Sequence, residues 1–303
     1  MMHRFADASG ERTIGHDPKQ LAVVLGALRM SGVALLDLDQ AVEIYANTDD
    51  RRRSLPPSVV FTVDDGYADF ADVGLPVFEE FDCPVTGFVV ADVIDGKRWF
   101  WWDQVEWALR HAAGRRLELE LDGQPVVLSW VTESERAVQQ HTLVERLKGV
   151  GDVSRDDFID QLACIADVPV TGDVPPAFRV LSWNALRSCE RRGARFGPHT
   201  MSHPILSQCT DSRSHDEVVD SSARVLGELG NPSRVFCYPN GRMQDFGGRE
   251  FRTLRSTGMM AAVSAMPGII RPGTLGADAD AIWRIPRFTY DARDGVTSRL
   301  LFL

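Results

Sequence analysis

Apolar positions recur at helical spacing from Pro18 to Met30, where Leu21, Val24, Leu25 and Leu28 share one face and predict an amphipathic helix. A short apolar piece, Val33 to Leu36, separates it from a second predicted helix, Leu38 to Ala46. The charged run Asp49 to Arg53 and Pro56-Pro57 read as a linker. Then the pattern changes to a strand-type run, Val59-Val60-Phe61-Thr62-Val63, that stops at Asp64-Asp65-Gly66. Ala68 to Phe81 predicts a helix with Val73, Val77 and Phe78 facing inward, and Pro84 to Val90 predicts a strand.

The middle of the chain breaks this strand-and-helix rhythm. Trp99-Phe100-Trp101-Trp102-Asp103 and Trp107 concentrate aromatic residues ahead of a helix, which they could anchor. Trp101 and Trp102 could equally stack on the apolar face of a sugar ring. Leu117 to Leu128 alternates around Asp122-Gly123 and predicts a β-hairpin. Thr132 with Glu135 forms a capping-box pattern opening a helix to about Leu147, and Ser154 is expected to cap a short helix, Phe158 to Ile165.

The rhythm returns with a helix from Ser182 that ends near Gly193, then a strand running into His199. Asp216–Leu229 and Phe246–Ser256 read as helices, Arg234–Tyr238 and Met259–Ser264 as strands, and Ile282–Phe288 as a last apolar segment carrying two cations. Strands alternating with helices imply an α/β fold with a parallel sheet.

The chemistry concentrates at two places. Adjacent Asp64 and Asp65 repel each other unless a cation or proton relieves them, and the carboxyl end of a parallel strand is where binding groups collect. From these residues alone, an Asp-Asp-Gly turn that merely caps a strand fits as well. Downstream, His199-Thr200-Met201-Ser202-His203-Pro204 sets two His four apart, able to meet one ion from successive helical turns or from a tight loop. Two neutral imidazoles and one carboxylate make a facial ligand set with open positions, suited to zinc or another divalent first-row metal.

Thr62-Val63-Asp64-Asp65-Gly66 together with His199-Thr200-Met201-Ser202-His203-Pro204 resembles the first two motifs of the polysaccharide deacetylases, the NodB-homology family (carbohydrate esterase family four). Val235-Phe236-Cys237-Tyr238-Pro239-Asn240-Gly241 resembles the third. The resemblance implies an irregular (β/α) barrel over residues 1–303, with residues 97–177 as an inserted hairpin-helical subdomain near the barrel mouth. It implies a metal held by Asp65, His199 and His203, and Asp64 as general base. An oxyanion would be met by the Tyr238 N–H beside Pro239 and Asn240. The substrate class implied is an N-acetylated sugar or glycan.

Two departures from the family pattern stand out. Cys237 occupies the place where relatives carry an Arg that orients the base, so Arg284 or, preferably, Arg287 is expected to supply that cation. The late Leu-x-His motif is missing, since no His follows His215. Alternative readings are therefore a sugar O-acetyl esterase, a deformylase, or a non-catalytic metal-containing carbohydrate-binding protein.

Composition narrows the partners. In 303 residues, 44% hydrophobic and 25% charged, the net charge is −10, which argues against nucleic acid or an anionic membrane as the main partner. Five scattered Cys without a CxxC pair suit a reduced compartment. The N-terminus carries His3, Arg4, Asp7, Glu11 and Arg12 but no apolar run of signal length, and no stretch approaches a membrane span, so a cytoplasmic location is expected.

Overall fold

The structure, a computed structural model, describes residues 1–6, 15–46, 57–168, 174–271 and 273–290. The expected linker at Asp49–Arg53 and Pro56, and the polar residues Asp7, Glu11 and Arg12, lie outside the described residues. In chain order the elements are α1 (Pro18–Met30), β1 (Ala34–Leu35), α2 (Leu38–Ala46), β2 (Ser58–Val59), β3 (Phe61–Val63), α3 (Leu75–Glu80), β4 (Val85–Val89) and α4 (Ala91–Ile94). Then follow α5 (Trp101–His111), β5 (Arg116–Leu121), β6 (Gln124–Ser129), α6 (Glu133–Leu147) and α7 (Asp152–Ala166). The chain continues with α8 (Trp183–Arg191), β7 (Arg195–Pro198), α9 (Asp211–Glu228), β8 (Val235–Cys237), α10 (Gly248–Ser256) and β9 (Ala261–Val263). Two compact units result, Met1–Asp95 with Arg179–Leu303, and Gly96–Phe178.

Among the described residues of the first unit every ladder between strands is parallel: β1 with β2, β3 with β4 and β4 with β7, and β8 with β9. The strand period of two sorts β3 into faces. Phe61 and Val63 join an apolar cluster with Leu25, Leu75, Phe78 and Val85, while Thr62 faces the other way, onto Arg287. Gly87, in the middle of β4, has a packing reason, because a Cβ there would sit 2.5 Å from the Phe196 ring. The start of the chain adds a further extended segment beside β3. Met2 pairs in parallel with Val63, donating to the Thr62 carbonyl at 2.9 Å and accepting from the Asp64 N–H at 2.8 Å. Tyr290 N–H reaches the Met1 carbonyl at 2.8 Å, so Met1–His3 runs between β3 and the segment after Ile285.

Among the described residues these ladders do not join into one closed sheet. What is seen of the expected barrel is a mixed α/β arrangement of short parallel pieces. The single helix expected from Ala68 to Phe81 is also revised. One π-helical turn, Phe70–Gly74, where the Leu75 N–H reaches back to the Phe70 carbonyl, precedes α3. Pro76, with no N–H to give, sits in the first turn of α3, where none is needed.

In the second unit β5 and β6 form the predicted antiparallel hairpin, with Leu121 paired to Gln124. Asp122 and Gly123 adopt φ of 52° and 75°, the left-handed pair that a tight hairpin turn requires. The capping box is present: Thr132 Oγ1 accepts from Glu135 N–H at 3.2 Å, and the Glu135 carboxylate accepts from Thr132 N–H at 3.3 Å. Ser154 caps nothing, because α7 already starts at Asp152, where an Arg155–Asp152 ion pair of 2.6 Å ties the first turn.

Candidate active site

At the end of β3 the backbone turns left-handed at Asp65 and Gly66, both at φ 75°. That turn sends two adjacent carboxylates to different partners, which is how the chain tolerates them side by side. Thr200 (φ 67°), His203 (φ 63°) and Asn240 (φ 57°) are further non-glycine residues in this region of backbone space, all within the three motifs. Such conformations cost about 1–3 kcal/mol each and persist where the surroundings impose them.

Asp65 faces His199 and His203. Asp65 Oδ1 lies 3.7 Å from His199 Nε2 and 3.6 Å from His203 Nε2, and the three donor atoms all fall within 4.8 Å of one another. His199 Nδ1 is 2.7 Å from the Cys237 carbonyl, which can only accept, so the proton is on Nδ1 and the Nε2 lone pair faces Asp65. The two His are presented by a loop rather than a helix: β7 ends at Pro198, His199 N–H donates to the Val89 carbonyl at 3.0 Å, and His203 N–H donates to Thr200 Oγ1 at 3.0 Å. Burial lowers both imidazole pKa values, and for His203 the neighbouring His199 adds to this. Both rings are thus neutral near pH 7, the form that ligates metal.

The donor chemistry fits a divalent first-row ion. Bonds of about 2.1 Å at tetrahedral angles place neighbouring ligand atoms about 3.4 Å apart, close to the spacing here and too wide for direct hydrogen bonds. A second triad, Asp64, His199 and Cys237, also brings its atoms within 4.8 Å. It is the poorer site, because a cation already occupies it and His199 turns Nδ1 toward the Cys237 carbonyl.

That cation is Arg287. Its Nη1 donates to Asp64 Oδ1 at 2.8 Å and its Nη2 to Asp64 Oδ2 at 2.9 Å, and both side chains are buried. Burial by itself raises the Asp64 pKa, but the charge and hydrogen bonds of Arg287 outweigh it and hold the carboxyl well below the usual range. Arg287 Nη2 also donates to Cys237 Sγ at 3.0 Å, and burial pushes the Cys237 thiol well up, so it stays neutral. Arg284, the other candidate, instead pairs with Asp278.

The third motif is placed differently from expectation. Tyr238 N–H donates to the Val263 carbonyl at 3.3 Å, continuing the β8–β9 ladder, so it is already engaged where an oxyanion donor should be free. The Tyr238 ring is buried, stacked on Phe246, and its hydroxyl donates to the Trp283 carbonyl at 2.9 Å. Pro239 and Asn240 form the turn that follows, and Gly241 N–H folds back to the Pro239 carbonyl at 2.6 Å. Trp101 and Trp102 lie on α5 of the second unit, where Trp102 stacks on Phe100 and the Arg155 guanidinium sits 5.0 Å over Trp101. Those contacts are what a helix-anchoring role needs.

His3, which no sequence motif marks, comes into electrostatic range of Asp64. His3 stands one position beyond the Met2–Val63 pair, on the same side as Asp64. Burial pushes its pKa down to about 4, against the opposing pull of the Asp64 charge. A His near the N-terminus carries no signal of its own in the sequence, and only the parallel pairing of Met2 with Val63 brings it to this strand.

Comparison with known proteins identifies the family. The polysaccharide deacetylase family model matches residues 51–259. No curated protein matches the sequence. Among solved structures, a Streptococcus pyogenes deacetylase, PplD, in complex with acetate aligns at TM-score 0.61 and 14% identity, over 99% of this chain and 94% of that one. IcaB from Ammonifex degensii aligns at TM-score 0.60 and 16% identity, over 99% and 94%. A de-N-acetylase from Aggregatibacter actinomycetemcomitans aligns at TM-score 0.56 and 14% identity, over 100% and 97%. At such identities the likeness is one of fold, but the family match spans well over half of the 303 residues, and the chain belongs to the polysaccharide deacetylase family of hydrolases.

Proposed function

We propose that this protein hydrolyses the acetamide of an N-acetylated sugar, in a glycan or its precursor, releasing acetate and a free amine. The observation that carries the reading is the pairing of a neutral two-His, one-carboxylate donor set with a second carboxylate held ionised by Arg287. A binding protein needs the first but has no use for the second. The parallel strand pairs are read as parts of an irregular (β/α) barrel, with the Gly96–Phe178 unit inserted in its chain.

Asp65, His199 and His203 would hold the ion, zinc or a similar divalent metal. Once bound, such an ion supplies Lewis acidity that acidifies a water and polarises a carbonyl oxygen. Asp64 takes the proton from the attacking water. An Asp kept this firmly ionised is a weak base, suited to a water that is already acidified. Arg287 fixes the orientation of Asp64 and balances its charge. Collapse of the tetrahedral adduct breaks the carbon–nitrogen bond, and the nitrogen must gain a proton. His3, beside Asp64, is the residue placed to deliver it. It is neutral in the free site, so it donates after receiving the proton that Asp64 has taken up.

The test is metal content and acetate release on protein purified without chelator, against N-acetylated and O-acetylated sugars. About one divalent ion per chain, with acetate released from N-acetyl sugars, supports the reading. Release only from O-acetyl sugars would replace it with an esterase, and metal without any release would point to a binding role. Absence of metal uptake would overturn it.

A further inference from the structure

His199 and His203 are presented by a five-residue loop whose backbone is unfavourable in two places, Thr200 and His203. The loop is gripped from both sides. Its carbonyls are taken by the start of α4: Ala91 N–H donates to Thr200 O at 3.2 Å and Asp92 N–H to Met201 O at 2.9 Å. The N–H groups of Met201 and Ser202 are taken by one side chain of α9. Glu217 Oε2 accepts from both Met201 N–H and Ser202 N–H at 2.9 Å, and Oε1 accepts from the Ser202 hydroxyl. Glu217 is buried, and a buried carboxylate is retained where such donors compensate its desolvation.

We propose that Glu217 is a positioning residue for the metal site: it locks residues 199–203 in the left-handed form that aims both Nε2 atoms at Asp65 before any ion arrives. The inference rests on the reading of Asp65, His199 and His203 as ligands. Without Glu217 the Met201 and Ser202 amides have no acceptor, the loop relaxes, and the ion must order it again on binding. The consequence falls on metal affinity rather than on the chemistry of the loaded enzyme.

The experiment uses the full chain and zinc, with affinity measured by competition against a chromogenic chelator. Glu217→Ala is expected to weaken zinc binding about 10- to 100-fold, the usual effect of losing a group that orients metal ligands. Glu217→Gln retains most of the affinity, because its amide oxygen can still accept both N–H groups. In the metal-free protein, amide exchange at Met201 and Ser202 accelerates in Glu217→Ala while the amides of β3 and β4 stay protected, which a general loss of stability would not produce. If Glu217→Ala does not fold, Glu217→Asp, one methylene short of the loop, gives the same reading with a smaller loss. A folded Glu217→Ala or Glu217→Asp that binds zinc as tightly as wild type overturns the inference. A wild-type protein that takes up no zinc instead removes the ligand assignment beneath it, and the inference falls with that assignment.

Discussion

Arg287 meets Asp64 edge to edge, with two parallel hydrogen bonds of 2.8 and 2.9 Å between residues 223 positions apart. Both side chains are buried, at 8% and 3% exposure, so the pair is neither screened nor replaceable by water. Three different segments of chain converge on it: β3 brings Asp64, β8 brings Cys237 and the segment after β9 brings Arg287.

Removing the cation leaves a buried, uncompensated carboxylate. Arg287→Ala is expected to destabilise the protein by about 3–5 kcal/mol and to abolish turnover. Arg287→Lys keeps the charge but loses the two-pronged geometry, so it recovers stability better than activity. Urea unfolding and acetate release measured side by side will show this. An Arg287→Ala protein as stable as wild type contradicts the account of the pair.

Asp64→Asn preserves shape but cannot accept a proton. Turnover should fall by at least about 1,000-fold while metal content stays at the wild-type level, since Asp65 and not Asp64 faces the two His. Elemental analysis and acetate release on the same preparation decide it, and retained turnover removes Asp64 from the role of base.

His3 is tested by varying the leaving group. His3→Ala should lose about 100- to 10,000-fold on N-acetylated sugars, whose amine must be protonated to depart. It should lose far less on an activated aryl acetate, whose phenolate leaves unaided. Equal losses on both substrates would reduce His3 to a structural part.

The histidines also set a pH dependence. His3 drops from 6.5 to about 4 on folding, and His199 and His203 shift in the same direction. A depressed pKa means that the unfolded chain binds more protons than the folded one between the two values, so stability rises with pH there. For His3 the contribution is complete above about pH 6.5 and is lost as pH falls toward 4. Metal-free protein should therefore weaken steadily over that window in denaturant titrations. His3→Asn should flatten the slope by about one proton, and an unchanged slope would rule His3 out as the titrating group.

Local structure was largely legible in the chain. The helices α1 and α2 follow from their apolar periodicity, the hairpin from Asp122-Gly123, and the α6 start from Thr132 and Glu135. Less legible were Ala68–Phe81, where a π turn interrupts the helix, and Ser154, where an ion pair starts α7 earlier than its apolar pattern suggests. In both cases the deciding contact is a geometric detail that periodicity does not carry.

The sequence by itself determined the chemical inventory: two carboxylates at a strand end, two His four apart, and the residue types an ion and a base require. These are local patterns, and each is written within a few consecutive residues. The tertiary structure decided which of them meet. It chose Arg287 over Arg284 because only Arg287 follows the segment paired to β9 into the buried face of β3. It tied up the Tyr238 N–H in the β8–β9 ladder, and it brought His3 from the other end of the chain to stand beside Asp64. Parallel pairing is the physical reason: neighbours in such a sheet are set by register between distant segments, and no spacing along the chain encodes that register.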